Sequence, residues 1–358
     1  MSKERNGKPG KPGRSLTERE RKILYLTVYY YIATGEPVGS RFLSKKLDLD
    51  ISPATVRNIM ADLEETGFLR QTHPSSGRIP TDLGYRCYVD LLIKPGPPKA
   101  TARQQIRERF LQGNLTFEEV FQSTSRTLSA VSRQLGIVVG PRLLGDRHQQ
   151  LQFVRIGRRR VLAVIVSGSG LIQNKMLELP EDWTQEELSA MSELWNRRFG
   201  TRSLREVREE LLERMAADKA EFDRLMEAAL TLGRRALLEE DERTGESIYL
   251  EGTVNMFSWP EFASPEKLRN LMNAIEEKSR LLQLLDRSLQ AEGIQIYIGE
   301  EMPMPEMKEM SLITAPYRRE GKVLGVLGVI GPTRMEYSKV IPIVEYTAAS
   351  LSEYLSTE

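Results

Sequence analysis

Residues 52–81 read SPATVRNIMADLEETGFLRQTHPSSGRIPT and join two contrasting patterns. Ser52 and Pro53 predict a helix start, because a serine N-cap accepts a backbone N–H and a proline suits the first helical turn. Gly67 predicts the end of this helix. At about 100° per residue, one face of the helix is apolar and carries Val56, Ile59, Met60 and Leu63. The residues after Gly67 are polar and poor in core-forming side chains, which indicates that their partner lies outside the protein.

The opposite face of the predicted helix is suited to reading DNA bases. A helix in the major groove contacts base edges through residues near its N-terminus, and Arg57 can bind guanine bidentately while Asn58 can pair with adenine. Methyl groups of alanine and threonine can touch thymine. A solvated helix surface is the alternative for Arg57. The predicted base-reading set is Ser52, Ala54, Thr55, Arg57 and Asn58.

The polar half of the stretch predicts a β-hairpin. Phe68 begins an extended segment, RQTHPSSGR forms the loop, and RIPT returns as a second strand. Hydrogen-bond donors concentrate at its tip, so the hairpin is suited to contact DNA phosphates or a minor groove. An ordinary exposed loop is the alternative. The predicted contact residues of the hairpin are His73, Ser75, Ser76 and Arg78.

Two further helices are predicted upstream, over residues 16–33 and 39–47, with Phe42, Leu43 and Leu47 facing inward. Two short helices around a tight turn, followed by a hairpin, are typical of a winged helix-turn-helix. Ser40, Arg41 and Lys45 on the second helix are expected to contact phosphates together with the basic tail, in a salt-dependent way.

Composition and charge are those of a globular chain with one basic segment. The 358 residues carry a net charge of +1, and residues 1–95 hold 16 basic against 11 acidic side chains. Such a bias indicates a polyanionic partner for this segment, although local fluctuation alone explains it equally well. No apolar run reaches the about 18 to 20 residues needed to span a bilayer. One cysteine, Cys87, excludes an internal disulfide and fits a reducing cytoplasm.

The rest of the chain alternates helical and strand patterns, so a multidomain α+β fold is expected. Residues 1–15 read as a disordered basic tail and 95–100 as a Pro/Gly-rich linker. Helices are expected to about residue 135, three strands over 153–179, and charged helices over 184–239. A strand over 247–257 and a long helix over 264–289, with Ser264 as N-cap, come next. Three strands and a last helix from about Ser338 complete the chain.

Signals for catalysis are weak. His73, His148 and Cys87 lie far apart and match no zinc spacing, and no phosphate-binding P-loop motif is present. The glycines at 168 and 170 are better explained by a hairpin turn, and those at 325–331 by close backbone packing. We therefore expect no enzymatic activity, no cofactor and no metal.

Four segments together resemble one bacterial family. TGEPVGSRFLSKKL, SPATVRNIMADLEETGFL, HPSSGRIPTDLGYRCYVD and GVLGVIGPTRMEYSKVI closely resemble the HrcA heat-inducible transcription repressors. The resemblance covers nearly the whole chain after residue 15, and the motif HxSxGRIPTxxGYRxYVD is specific to that family. Ile59 departs from it, since related sequences usually carry an acidic residue there.

The resemblance implies a fold, partners and a mode of control. It implies a winged helix over 16–94, a GAF-like domain over 101–147 and 246–358, and a dimerisation domain inserted at 148–245. It also implies a cytoplasmic homodimer that binds an inverted-repeat operator, called CIRCE, in double-stranded DNA and represses chaperone operons. The GroE chaperonin is expected to keep the repressor active. Two alternatives stay open: a regulator whose GAF-like domain binds a small effector, and an enzyme with an appended DNA-binding domain.

Overall fold

The fold mixes helices and strands, which confirms the α+β expectation. A computed structural model describes residues 16–46, 51–73, 76–110, 116–141, 148–167, 172–200, 248–262, 264–289 and 293–357, with residues 232 and 291. The predicted tail 1–15, Ser75, the glycine turn at 168–170 and the helices expected beyond residue 200 lie outside the described residues. The chain divides into two compact units: one holds the chain up to Val138 and most of it from Leu250 onwards, and the other holds Val139–Tyr249.

Residues 16–92 form the N-terminal module of the first unit. It contains α1 (Glu18–Thr34), α2 (Ser40–Lys46), α3 (Pro53–Glu65), β1 (Leu69–Gln71), β2 (Arg78–Pro80), α4 (Asp82–Cys87) and a π-helical turn (Tyr88–Leu92). Thr17 caps α1 in a capping box with Glu20, and Ser52 caps α3 as its sequence predicted. The three helices and the antiparallel β1–β2 hairpin enclose an apolar core built from Ile23, Leu24, Val28, Leu43, Val56, Met60, Leu63, Phe68 and Leu69.

Two glycines let the hairpin pack closely against its neighbours. A Cβ at Gly77 would lie 2.5 Å from the backbone carbon of Val38, where the chain forms a bridge to Arg78 through two N–H···O bonds of 2.9 Å. A Cβ at Gly84 would collide with the backbone oxygen of Phe68. The glycines in HPSSGRIPTDLGYR therefore allow the hairpin to join Val38 on one side and α4 on the other.

A five-stranded sheet, here called the central sheet, follows the N-terminal module. Its strands are β3 (Leu135–Val139), β7 (Ile248–Glu251), β8 (Gln295–Ile298), β9 (Met310–Arg319) and β10 (Lys322–Pro332), in the order β7-β3-β10-β9-β8. The chain leaves the sheet after β3 and re-enters it through β7, directly beside β3. The residues between these neighbours are therefore an insertion into the sheet. The accompanying helices are α5 (Ala100–Phe110), α6 (Phe117–Ser132), α8 (Pro265–Glu276), α9 (Lys278–Leu289) and α10 (Tyr337–Thr357).

The inserted unit contains an antiparallel sheet, here called the meander, and one described long helix. Its strands β4 (His148–Gly157), β5 (Arg160–Ser167) and β6 (Ile172–Glu178) pair in that order, and α7 (Gln185–Phe199) packs on one face. Leu188, Met191 and Trp195 of α7 meet Phe153, Ala163 and Ile165 in a buried apolar core. The three strands confirm the prediction for 153–179. Only alternate residues of β5 are fully buried, because its other face lacks a helix among the described residues.

Side chains of α7 also bind the backbone of β4 at the margin of the meander. Asn196 accepts the N–H of Leu151 at 2.7 Å and donates to its carbonyl at 2.9 Å. The hydroxyl of Ser192 accepts the N–H of Phe153 at 2.9 Å, and Gln185 accepts that of Arg155 at 2.8 Å. These bonds occupy backbone groups that a neighbouring strand would otherwise take.

Three expectations were wrong, those for the 247–257 strand, for one unbroken helix over 264–289 and for an inward-facing Phe42, and a fourth, capping by Ser264, holds in position only. Only Ile248–Glu251 of the predicted strand over 247–257 is extended, because Gly252 adopts φ +89° and starts a 3-10 turn. The predicted long helix is two helices that meet at Glu277, whose ψ of +76° leaves the helical region. Ser264 precedes α8 but makes no side-chain cap bond. Phe42 is exposed instead of inward-facing and packs edge-on against Tyr30 at 4.8 Å.

Candidate nucleic-acid interface

One side of α3 faces solvent and does not pack against the protein core. Ala54, Thr55, Arg57 and Asn58 are exposed along its first two turns, and Arg57 makes no ion pair with any described residue. The opposite side is locked in place, since Val56, Met60 and Leu63 are at most 1% exposed. Ile59 is half-buried between the two sides. A rigid helix thus presents four of the predicted base-reading residues to solvent.

Ser52 has a local role that its sequence pattern predicted. Its hydroxyl accepts the backbone N–H of Thr55 at 3.1 Å and lies 3.0 Å from the Thr55 hydroxyl. The two hydroxyls therefore bond each other, and the Thr55 side chain remains exposed to an outside partner. This capping fixes the first turn of α3, where the proposed base contacts lie.

The cationic side chains of α2 face solvent. Arg41 and Lys45 are exposed, whereas Ser40, the first residue of the helix, is half-buried. Leu43 is completely buried and anchors α2 in the same core that holds α3. The module therefore supports two adjacent helices, each with exposed polar side chains of the kind that contact a nucleic acid.

Ser76 stabilises the tip of the hairpin, because its hydroxyl forms hydrogen bonds within the loop. Its hydroxyl donates to the carbonyl of His73 at 2.8 Å, accepts the His73 N–H at 3.0 Å and lies 3.0 Å from the Thr72 hydroxyl. The His73 side chain itself is exposed. Ser75, the remaining predicted tip residue, lies outside the described residues.

Arg78 is placed differently from the other predicted contact residues. Its Nε donates to Glu64 Oε2 at 2.8 Å and its Nη2 lies 2.7 Å from the same oxygen. The side chains are only 14% and 33% exposed. Arg78 is thus held against the end of α3 instead of extending from the hairpin tip.

Glu64 is a positioning residue that sequence reasoning missed. Its Oε1 accepts the backbone N–H of Gln71 at 3.1 Å, while its Oε2 binds Arg78. The carboxylate therefore ties both strands of the hairpin to α3. Glu64 lies in α3 and Arg78 in β2, so no periodicity within one element relates them and the sequence offered no signal for this pair.

No catalytic or metal-binding arrangement was found in the described part of the chain. Burial raises the pKa of the Cys87 thiol to about 11, so it stays protonated and unreactive at neutral pH. Across the described ranges, no three His, Cys, Asp or Glu side chains are placed to hold a metal ion. Within the same ranges, no helix is both long and apolar enough to cross a bilayer.

Comparison with known proteins identifies the family. Residues 118–341 match the HrcA protein C terminal domain. The chain is 43% identical over 343 residues to the heat-inducible transcription repressor HrcA of Geobacter sulfurreducens, covering 96% of this chain and 99% of that protein. It is 41% identical to the repressor of the same name from Syntrophobacter fumaroxidans, covering 95% and 97%. The chain belongs to the HrcA family.

A solved structure supports the fold. A crystal structure of a hypothetical protein superposes with a TM-score of 0.65 at 22% identity, covering 96% of this chain and 99% of that one. HrcA is a family of transcription repressors in heat-shock regulation and not of enzymes, which confirms the resemblance stated from the motifs and the expectation of no enzymatic activity.

Proposed function

We propose that this chain is a DNA-binding repressor of heat-shock (chaperone) operons that acts in the cytoplasm. In this proposal the N-terminal module is a winged helix-turn-helix, with α3 in the major groove and the β1–β2 hairpin as the wing. One observation carries the proposal: α3 is anchored by a fully buried apolar face and exposes Ala54, Thr55, Arg57 and Asn58 on the other. This is the arrangement that a recognition helix needs.

The proposed contacts fall into two chemical classes, those to bases and those to phosphates. Arg57 and Asn58 read bases, while the methyl groups of Ala54 and Thr55 contact thymine. Arg41 and Lys45, with Ser40 at the helix start, bind phosphates, and His73 and Ser75 do so from the wing, whose loop Ser76 stabilises. Arg78 orients the wing through Glu64 and adds a phosphate contact.

The domains implied by the resemblance also belong to this proposal. A GAF-like domain comprises 101–147 and 246–358, and 148–245 form an inserted dimerisation domain. The return of the chain beside β3 through β7 supports such an insertion. A second copy of the chain covers the outer face of the meander, where Ile156, Ile172 and Met176 are 48%, 58% and 65% exposed. A two-fold dimer fits an inverted repeat of the CIRCE type.

Selection of bound fragments from genomic DNA tests this proposal. The purified chain is expected to recover sites with two inverted half-sites whose centres lie one helical turn or a multiple apart. Recovery of unrelated fragments, with no shared repeat, would contradict it. Repeating the selection with an Arg57→Ala, Asn58→Ala double variant, which should lose the repeat, serves as the control.

Control by the GroE chaperonin is the last part of the proposal. Operator binding is measured by fluorescence anisotropy with and without chaperonin, and in parallel with a panel of metabolites. We expect the chaperonin to raise the fraction of chain that binds the operator. A response to a metabolite with no response to the chaperonin would favour the ligand-sensing alternative.

A further inference from the structure

A polar cavity of about 490 Å³ lies within the first unit, where the N-terminal module meets the central sheet and its helices. β1, β2 and the start of α4 contribute Arg70, Thr81 and Asp82, and the end of α1 contributes Tyr31. The other wall is formed by residues 261, 267, 308, 309, 333 and 334. Four cationic and three carboxylate side chains line it, so its summed charge is positive.

The cavity carries hydrogen-bond donors that the protein itself does not use. Arg70 makes no hydrogen bond or ion pair with any described residue. Arg334 binds Glu261 through Nε at 2.8 Å and the carbonyl of Ile32 through Nη1 at 3.3 Å, which leaves its Nη2 without a partner in the described chain. The hydroxyls of Tyr31 and Thr333 are likewise unbonded within the described ranges. Free donors beside two guanidinium groups are what a phosphoryl group binds.

Unused acceptors lie in the same cavity. Glu261 Oε2 is buried and has no hydrogen-bond partner among the described residues, and the same is true of the Tyr85 hydroxyl. Asp82 accepts one backbone N–H, that of Glu300 at 2.9 Å, and burial raises its pKa above the ordinary range. Buried polar atoms without partners are uncommon, because each costs free energy comparable to a lost hydrogen bond. A ligand that brings hydroxyl donors would satisfy them.

We propose that this cavity binds a small phosphorylated sugar or polyol. The phosphoryl group lies between Arg70 and Arg334 Nη2, and the hydroxyls of the ligand donate to Asp82 and Glu261. A volume of about 490 Å³ exceeds that of phosphate alone and falls within the range of small-molecule sites. The inference goes beyond the proposed repressor function, and binding at this site does not require DNA.

Occupation of the cavity would connect two parts of the first unit that both line it. Arg70 and Asp82 belong to the N-terminal module, and Arg334 and Glu261 belong to the C-terminal part of the same unit. Contacts across this junction include Arg86 with Glu301, at 2.9 Å from Nε to Oε1. A bound ligand adds to them and makes the orientation of the module dependent on a metabolite.

Isothermal titration calorimetry on the full chain tests the site, with ribose 5-phosphate as the probe at constant ionic strength. We expect saturable binding, weaker binding of inorganic phosphate, and none of ribose. Arg70→Gln is expected to lower the affinity for ribose 5-phosphate about tenfold, since it removes a charge-assisted hydrogen bond. Thr333→Val, which keeps the side-chain shape, is expected to lower it by a smaller factor.

Arg57→Gln is the matched control, because Arg57 is also an exposed arginine but lies on the proposed DNA-reading face. Its affinity for ribose 5-phosphate should equal that of the unchanged chain. The proposal is overturned if the unchanged chain does not bind ribose 5-phosphate. It is also overturned if Arg57→Gln loses binding while Arg70→Gln retains it, since the probe would then occupy the DNA-reading face. Either result leaves the repressor proposal standing, because that proposal depends on operator selection.

Discussion

At the scale of single residues, the side chains of α3 proposed to contact DNA are different from those that pack in the core. Arg57 and Asn58 lie beside Val56 in sequence, yet Val56 is fully buried and both polar neighbours are exposed. Substitution of the polar pair therefore changes what the helix contacts without changing the core that holds it.

Replacing Arg57 or Asn58 by alanine is expected to weaken operator binding and relax base preference. Each lost bidentate contact should cost about 1–3 kcal/mol of discrimination at one base pair. Fluorescence anisotropy with operator duplexes that carry single base changes measures this effect. Arg107→Ala, an exposed arginine on α5, is the control. Unchanged base preference in both α3 variants would show that α3 does not read bases.

Gly77→Ala is expected to destabilise the N-terminal module. Its Cβ would lie 2.5 Å from the backbone of Val38, and relieving such overpacking costs about 1–3 kcal/mol. Chemical denaturation followed by circular dichroism measures the change in the free energy of unfolding. Gly39→Ala is the matched control, because no atom lies within 4 Å of its added Cβ. Equal stability of the two variants would contradict the close approach of the hairpin to Val38.

At the scale of elements, contacts with α3 hold the β1–β2 hairpin in position. Glu64, near the end of α3, binds Arg78 and the Gln71 backbone, so the two proposed DNA-contacting elements form one rigid piece. The phosphate contact expected of Arg78 must therefore be compatible with its ion pair. A comparison of two variants separates the two roles.

Arg78→Gln and Glu64→Gln are both expected to lower the free energy of unfolding by about 1 kcal/mol, since the pair is partly exposed and screened. Only Arg78→Gln should also flatten the dependence of operator affinity on salt, by about one in the slope, because one phosphate contact is lost. Anisotropy titrations over a range of salt concentrations measure the slope. An unchanged slope in Arg78→Gln would show that Arg78 contacts no phosphate and has only a structural role.

The elements also show what the sequence could and could not predict. Capping at Ser52, the buried stripe of α3 and the three strands of the meander follow from local patterns, so they were predicted. The break at Glu277 was not, because neither glycine nor proline marks it in the sequence. The Glu64–Arg78 pair and the cavity bring together residues far apart in sequence. No periodicity connects such residues.

At the scale of the whole molecule, the proposed repressor needs two copies to match an inverted repeat. The outer face of the meander is the apolar surface that we assign to this contact. Cross-strand neighbours Leu162 and Met176 lie on it, opposite the face that α7 covers. Pairing of two such faces removes from water the apolar side chains that a single copy leaves exposed.

Met176→Glu is expected to convert the dimer into a monomer. A carboxylate desolvated at the interface without a partner costs several kcal/mol, so the dimer should weaken by about a hundredfold or more. Sedimentation equilibrium measures the dissociation constant. Val254→Glu is the matched control, since Val254 is 76% exposed in the first unit. A dimer that survives Met176→Glu would place the contact elsewhere.

The polar side chains of α7 have a consequence for how this protein aggregates on heating. Gln185, Ser192 and Asn196 occupy backbone groups of β4, so the strand has fewer free donors and acceptors to offer to another polypeptide. Loosening of α7 on heating would uncover a template for intermolecular β-pairing before the rest of the sheet is lost. Loss of repressor by this route is aggregation, which depends on concentration and is not reversed by cooling. Two amides and one hydroxyl on a single helix would therefore decide whether this edge of the sheet is protected from pairing with another chain.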